Sequence, residues 1–259
     1  MNLIHAIDPL EKGPLRVRAL TGPADLAALL AVRGLCFRGH AGADDRDQYD
    51  DDCIHMVIER RDCIIGGFRL RRFSGAEIAD SYSAQFYDLT PLHRFSTPML
   101  ELGRFCIDPV HQDADAVRLA WGAITQQVDR GGVGLLFGCS SFAGCDPAPY
   151  HDAFGVLRTR HLAPRGWAPG MGRGATVRFA DLPMVHDRGA GLRALPPLLR
   201  TYLAMGGWVS DHAVIDRALG TVHVFTGLEI GQVPPGRARL LRAVAAGGQV
   251  FQDRDQTGR

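Results

Sequence analysis

The stretch LELGRFCIDP sets Glu101 and Arg104 in a run, Met99 to Ile107, that is otherwise apolar. A carboxylate and a guanidinium among residues that will be buried are costly unless each finds a partner. Three residues apart in a regular strand, they would face opposite sides. A bulge at Gly103 would change the facing and aim both at one pocket, where the carboxylate could take up a proton and the guanidinium could grip an anion. Ordinary ion pairing with other strands explains them equally well. Arg33 raises the same question, because it falls at helical spacing on the apolar stripe Leu26, Leu30, Phe37 and needs a carboxylate or a substrate to satisfy it. An acidic segment follows, with Asp44, Asp45, Asp47, Asp50, Asp51 and Asp52 around Gln48-Tyr49. Within it Asp44, Asp45, Asp51 and Asp52 read as a solvated loop.

The elements that must position these residues alternate between strands and helices. Arg16 to Leu20 reads as a first strand, and Gly22-Pro23 opens a helix, with Pro suited to its first turn. Two strand-like runs, Ile54 to Glu59 and Ile64 to Phe73, are joined by the polar turn Arg60-Arg61-Asp62. Gly66-Gly67 in the second run predicts a bulge or a close backbone approach. Ser81 to Arg94 is a short helix and loop, and Met99 to Ile107 is a strand bounded by Pro98 and Pro109. Asp113 to Val128 is an amphipathic helix, Val133 to Cys139 a buried strand, and Asp146-Pro147 caps a helix ending near His161. From Ala163 to Pro197 the chain turns to Gly, Pro and Arg without periodicity, as in a lid or binding loop. A helix (Leu198 to Met205), two strands (Trp208 to Ile215 and Val222 to Ile230) and a last helix (Arg237 to Ala246) complete it. The expected class is α/β, a mixed central sheet flanked by helices, in one domain over 1–259 with a C-terminal extension from about 163.

Composition narrows the functions. The 259 residues carry 29 Lys plus Arg against 28 Asp plus Glu, a net charge of +1 that gives no footprint for nucleic acid. The N-terminus has no apolar stretch of signal-peptide length, and no apolar run approaches the ~18–20 residues that span a bilayer. The protein is expected in the cytoplasm. None of the 6 cysteines sits in a Cys-x-x-Cys pair, so they read as buried reduced thiols. The 10 histidines lack the i, i+4 pairing of a helical metal site, and no metal is expected.

Arg33 with Phe37, Asp47-Gln48-Tyr49-Asp50, Arg69 in GGFRL, and Glu101 with Arg104 in LELGRFCIDP occur in an order and spacing that resembles the GNAT acyltransferases. More narrowly the chain resembles the ornithine N-acyltransferases of ornithine-lipid synthesis and their relatives, the acyl-homoserine-lactone synthases. FGCSSFAGCDP (Phe137 to Pro147) and LPPLLRTYLAMGGWVSDHAVID (Leu195 to Asp216) favour the ornithine branch, and the matched regions run from about Arg16 to Ile230. The resemblance implies transfer of a fatty acyl group, with or without a 3-hydroxyl, from acyl carrier protein to the α-amine of L-ornithine. Glu101, directly or through a water, would take the proton of the attacking amine, and its burial would raise its pKa to suit. Backbone N–H groups freed by a strand bulge would hold the oxyanion. Arg33, Arg69 or Arg104 would grip the ornithine carboxylate, with Phe37 beside them. Asp47 and Asp50 would hold its side-chain ammonium or lock the arginines in place.

Phe137, Ser140 and Ser141 are assigned to the acyl and pantetheine portion, with Leu135, Phe142 and Phe154 as further slot-lining candidates. No nucleophilic cysteine is required, since neither Cys106 nor Cys139 has a neighbour that would make a thiolate. No cofactor is expected beyond acyl carrier protein as donor. At the place of the usual Gly-containing pyrophosphate turn the sequence reads VHQDADAV, where Asp113 and Asp115 would repel a pyrophosphate. Arg118, Arg158, Arg160, Arg165 and Arg173 are the basic residues that could meet an acidic carrier protein. The Trp167 to Met171 loop either covers the acyl chain or leans peripherally on the membrane. Three alternatives stand beside this reading: another amino-acid acceptor such as glutamine; an acyl-homoserine-lactone synthase, whose signature tryptophan is absent where Arg38-Gly39-His40 stand; and a non-catalytic module that binds acyl carrier protein.

Overall fold

The computed structural model describes residues 7–111 and 113–247. Strands β1 (Leu10–Lys12) and β2 (Leu15–Ala19) form a hairpin, and helix α1 (Pro23–Arg38) follows with Pro in its first turn and Gly39 closing it at φ 86°. Strands β3 (Ile54–Arg60) and β4 (Cys63–Phe73) make the next hairpin. Its two turn residues, Arg61 and Asp62, both have positive φ (49° and 66°), the twist that suits a two-residue connection. Short 3₁₀ turns at Gly75–Asp80, Ser83–Gln85 and Thr90–Arg94, with the two-residue strand β5 (Tyr87–Asp88) among them, lead to β6 (Met99–Ile107). Helix α2 (Ala114–Gly131) carries the chain to β7 (Leu135–Ala143), and α3 spans His151–Arg160.

The Gly- and Pro-rich connection holds more structure than its composition predicts. It contains β8 (Gly170–Met171), β9 (Ala175–Arg178) and α4 (Arg188–Ala194) before α5 (Pro197–Ala204). Its backbone groups are satisfied by partners far away in sequence: β8 pairs with β5 and β9 with β10 (Trp208–Asp216). Such pairing leaves no local periodicity to read. Strand β11 (Thr221–Glu229) and α6 (Pro235–Ala245) finish the described chain.

Nine strands form one mixed sheet in the order β1-β2-β3-β4-β6-β7-β11-β10-β9. All neighbours are antiparallel except β6 and β7. That parallel pair has only three ladder positions, Met99↔Leu135, Leu100↔Leu136 and Glu101↔Phe137; beyond them the two strands part. On one side of the sheet Trp121, Ile124 and Tyr202 pack over Met56, Leu100 and Leu136. A second cluster gathers Phe73, Tyr87, Phe137 and Phe225, and a third joins Phe154 and Leu199 to Phe142 and Val224. Among the described residues, no helix is long and apolar enough to cross a membrane.

The close approach expected at Gly66-Gly67 is present. A Cβ on Gly67 would stand 2.3 Å from the Met56 carbonyl oxygen, and the β3–β4 register slips by one residue just before the pair, at Ile65. Strand β7 runs on to Ala143, four residues past the end of the apolar run, and so carries Ser140 and Ser141 inside the sheet.

Candidate active site

Where β6 and β7 part, a cavity of about 200 Å³ opens. Leu102, Gly103, Arg104 and Phe105 line it from β6, and Cys139, Ser140 and Ser141 from β7. Glu101 sits at the last paired position, at the base of the gap. Phe37, Arg69, Tyr82 and His223 complete the polar and aromatic part of the wall, while Pro196, Leu198 and Leu219 close it with apolar surface.

A bulge does bring Glu101 and Arg104 to one cavity, but not at Gly103. Between the pairs Gly67↔Cys106 and Arg69↔Gly103, β6 carries one more residue than β4, and Arg104 takes the left-handed conformation at φ 52°. A non-glycine residue there is held by its surroundings against its own preference. Gly103 serves a different purpose. A Cβ on it would meet Arg69 Nε at 3.2 Å, so its bare backbone leaves the path along which the Arg69 side chain runs.

Glu101 is 6% exposed and accepts three hydrogen bonds. Ser83 N and Ser83 Oγ donate to Oε1 at 2.8 and 2.6 Å, and Tyr82 N donates to Oε2 at 3.1 Å. Burial pushes its pKa up, and these donors only partly offset that rise. All three of these donors are neutral.

The arginines are engaged elsewhere. Arg33, 1% exposed, donates from Nε to Asp45 (3.0 Å) and from Nη1 to Asp50 (2.8 Å). Arg69 bonds both oxygens of Asp47 at 2.6 and 3.0 Å and also reaches Asp50 at 2.7 Å. Arg104 donates from Nε to Asp45 and from Nη2 to Asp47, both at 2.9 Å. Its guanidinium lies 5.7 Å from the Phe37 ring and 5.1 Å from the Tyr82 ring; that of Arg69 lies 5.4 Å from Tyr82. Burial alone would raise the Asp50 pKa, but the Arg33 guanidinium and the Asp47 N–H hold it well below the usual carboxylate range.

Several expectations change. Asp47 and Asp50 lock the arginines, and with Arg33 they stand behind the cavity rather than on its wall, because each is used up by its partners. Asp45 is no solvated loop residue: it is fully buried and joins Arg33, Arg38 and Arg104. Phe137 does not reach the cavity either. Its ring packs on Phe225 at 5.7 Å and beside Phe73 at 6.0 Å, in the core, and Leu135, Phe142 and Phe154 are likewise core. Trp167 spends its ring on Phe95, at 5.0 Å, and the strand after it is pinned to Tyr87–Asp88. Arg118 is paired with Asp115, and Arg158 donates to the Phe179 carbonyl. Phe37, Arg69, Glu101, Arg104, Ser140 and Ser141 do line the cavity.

The cavity also contains residues the sequence did not single out: Tyr82, backed by Ser83, and His223. The only advance signal was that a buried Glu101 needs donors, which Ser81-Tyr82-Ser83 offers. Cys139 lies 3.5 Å from Ser83 Oγ, and burial raises its thiol to about 12, which keeps it protonated and unreactive. At the start of α2, Asp113 caps its own helix by accepting from Asp115 N at 2.8 Å and pairs with Arg60. The position that would receive a phosphate thus already holds a carboxylate.

The acetyltransferase (GNAT) domain family matches residues 33–122, which run from Arg33 through β6 into α2. An L-ornithine N(alpha)-acyltransferase of Rhodobacter capsulatus is 34% identical over 195 residues, 71% of this chain and 74% of the relative. One from Brucella abortus is 30% identical over 246 residues, covering 85% and 86%. Among solved structures, FeeM, an N-acyl amino acid synthase from uncultured soil microbes, shares the fold with a TM-score of 0.52 at 8% identity, over 86% of this chain and 97% of that one.

Proposed function

The chain belongs to the L-ornithine N(alpha)-acyltransferases, enzymes of GNAT type, and from that premise we propose that it transfers a fatty acyl group, with or without a 3-hydroxyl, from acyl carrier protein to the α-amine of L-ornithine. The product is a lyso-ornithine lipid. The observation that carries the mechanism is Glu101: a buried carboxylate of raised pKa at the base of the gap between two parting strands. Glu101, directly or through a water, takes one proton from the ammonium of the acceptor. The freed amine attacks the thioester carbonyl carbon, a C–N bond forms, and the tetrahedral oxyanion develops in the gap. From Leu102 onward the β6 edge that faces β7 has no ladder partner there, which leaves its peptide groups as the donors for that oxyanion. Collapse breaks the C–S bond, and the second amine proton leaves with the thiolate as thiol.

The aspartate–arginine network sets the shape and charge of the wall next to this site. Arg69 and Arg104 present the outer faces of guanidiniums that Asp45, Asp47 and Asp50 already orient, so the acceptor carboxylate meets a fixed positive edge. A carrier protein as donor fits the α2 start, where Asp113 and Asp115 stand in place of a pyrophosphate cradle. The reading puts the enzyme in the cytoplasm, delivering its product to the inner face of the membrane.

The test is a product assay with purified protein, 3-hydroxyacyl-loaded carrier protein and a panel of amino acids, read by mass spectrometry. N-Acylornithine is the expected product. Acylated glutamine or another amino acid would replace the acceptor and keep the chemistry. Carrier-protein binding without any product would make the chain a non-catalytic module.

A further inference from the structure

Among the described residues, three imidazoles have a buried ring nitrogen with no hydrogen-bond partner: His55 Nδ1, His212 Nε2 and His223 Nε2. Of these residues His223, 1% exposed, lines the active-site cavity. Its state follows from its neighbours. Tyr87 Oη lies 2.9 Å from the His223 carbonyl oxygen and 3.1 Å from His223 Nδ1. A carbonyl can only accept, so the single phenol proton goes there, and the Nδ1 contact is satisfied when Nδ1–H donates to Oη. Nε2 is then a bare lone pair. Burial lowers the pKa of this imidazole to about 4, so it remains neutral. A buried acceptor without a donor is costly and calls for a partner.

Position restricts who that partner is. His223 stands opposite Ser141 across β7 and β11, whereas Glu101 stands opposite Phe137. Four residues of strand separate the two, about 13 Å. The group that meets His223 is therefore several bonds from the carbonyl that reacts near Glu101. An uncharged donor suits it best, because the imidazole is itself neutral and Phe86 packs its ring 4.7 Å away; Asp216 accepts the Ala218 and Leu219 N–H groups at Oδ1. A neutral N–H or O–H on a long, flexible thioester satisfies both conditions.

We infer that His223 Nε2 accepts a hydrogen bond from the acyl-donor substrate, from an amide N–H of the carrier's pantetheine arm or from a hydroxyl on the acyl chain, and so selects the donor. This rests on the acyl-transfer reading of the cavity. It makes His223 a binding residue for the thioester, at the end of the cavity away from the proton-taking carboxylate.

The test compares wild type with His223→Phe, which keeps an aromatic ring and removes the acceptor, and with His223→Gln, which returns one. Each is assayed for ornithine acylation with three donors of one chain length: hydroxyacyl carrier protein, unsubstituted acyl carrier protein, and the hydroxyacyl S-ethyl thioester, which has no arm. If the arm amide is the partner, KM for both carrier-protein donors rises about three- to tenfold in His223→Phe, the S-ethyl thioester is unaffected, and His223→Gln recovers part of the loss. If the hydroxyl is the partner, both hydroxylated donors weaken and the unsubstituted one does not. An equal loss with all three donors, or no loss with any, overturns the inference.

A second readout needs no turnover and no variant. The ¹⁵N signal of His223 Nε2 in the wild-type protein should move from that of a bare acceptor to that of a hydrogen-bonded one when hydroxyacyl-pantetheine is added without amine. An unmoved signal overturns the inference even in an active enzyme. A moved signal in a protein that acylates no amine would sink the transfer reading and leave the His223 contact standing.

Discussion

Glu101 and its neighbours solve the same problem, a buried charge, in two ways. Asp45, Asp47 and Asp50 are each matched by a guanidinium, while the donors that Glu101 accepts from, on Ser83 and Tyr82, are neutral. The first arrangement fixes charge permanently; the second leaves a carboxylate able to gain and lose a proton. Glu101→Gln should therefore fold and lose about 10²–10⁴-fold in kcat, with wild-type-like turnover as the result that removes Glu101 from the mechanism. In the proposed mechanism Glu101 acts as a base, and its pKa is raised, so the wild-type rate should climb with pH through a region above the ordinary carboxylate value. In the Gln variant that limb should be missing. Asp45→Asn strands Arg33 and Arg104 without a full countercharge and should cost about 3–5 kcal/mol in urea unfolding. Glu101, Arg104 and Arg33 were legible because each is a charge in an apolar pattern. Asp45 was not, since within an acidic run nothing in the sequence separates the buried member from the wet ones. A count of charges would have helped: three buried arginines ask for a third carboxylate beside Asp47 and Asp50.

At the scale of elements, the bulge in β6 and the divergence of β7 build the cavity together. Gly138 follows the last paired position, and a Cβ on it would lie 2.3 Å from the Leu102 carbonyl oxygen. Gly138→Ala must then push β6 and β7 further apart. It should lower stability by about 1–3 kcal/mol and reduce kcat, read by thermal unfolding and the product assay. The strands that frame the site were legible because their apolar runs are clean: β6 falls at Met99–Ile107, as its flanking prolines predict. The far half of β7 was hidden by Ser140 and Ser141, which line a cavity instead of packing in a core. Ser81 to Arg94 and the 163–197 connection are held by 3₁₀ turns, two- to four-residue strands and the two-turn helix α4, too short for any period to register.

Across the whole molecule, residues far apart in sequence share one wall, with Glu101 on β6, Ser141 on β7 and His223 on β11. The segment after 163 is therefore part of the site, since β10 and β11 complete the same sheet. A chain ended before Trp208 would bare the β7 edge and the faces of Phe137 and Phe142, and should elute as aggregate in size-exclusion chromatography. Acid should attack the molecule through the aspartates. The folded-state pKa of Asp50 is depressed, so its contribution is full above the ordinary carboxylate range and is lost as pH falls below it. The urea midpoint should drop over that acid interval, and less steeply in Asp50→Asn, which has already lost the contribution.

The three-position join between β6 and β7 has a mechanical meaning as well. On either side of it every neighbouring pair is antiparallel, so the sheet is two antiparallel plates fastened by one short seam, with α2 as the connection across it. A fold fastened in this way yields first at the fastening. The β7 amides that point across this seam to β6 would exchange with solvent ahead of those in β3, β4 and β11, and under tension the plates would separate before either one unravelled.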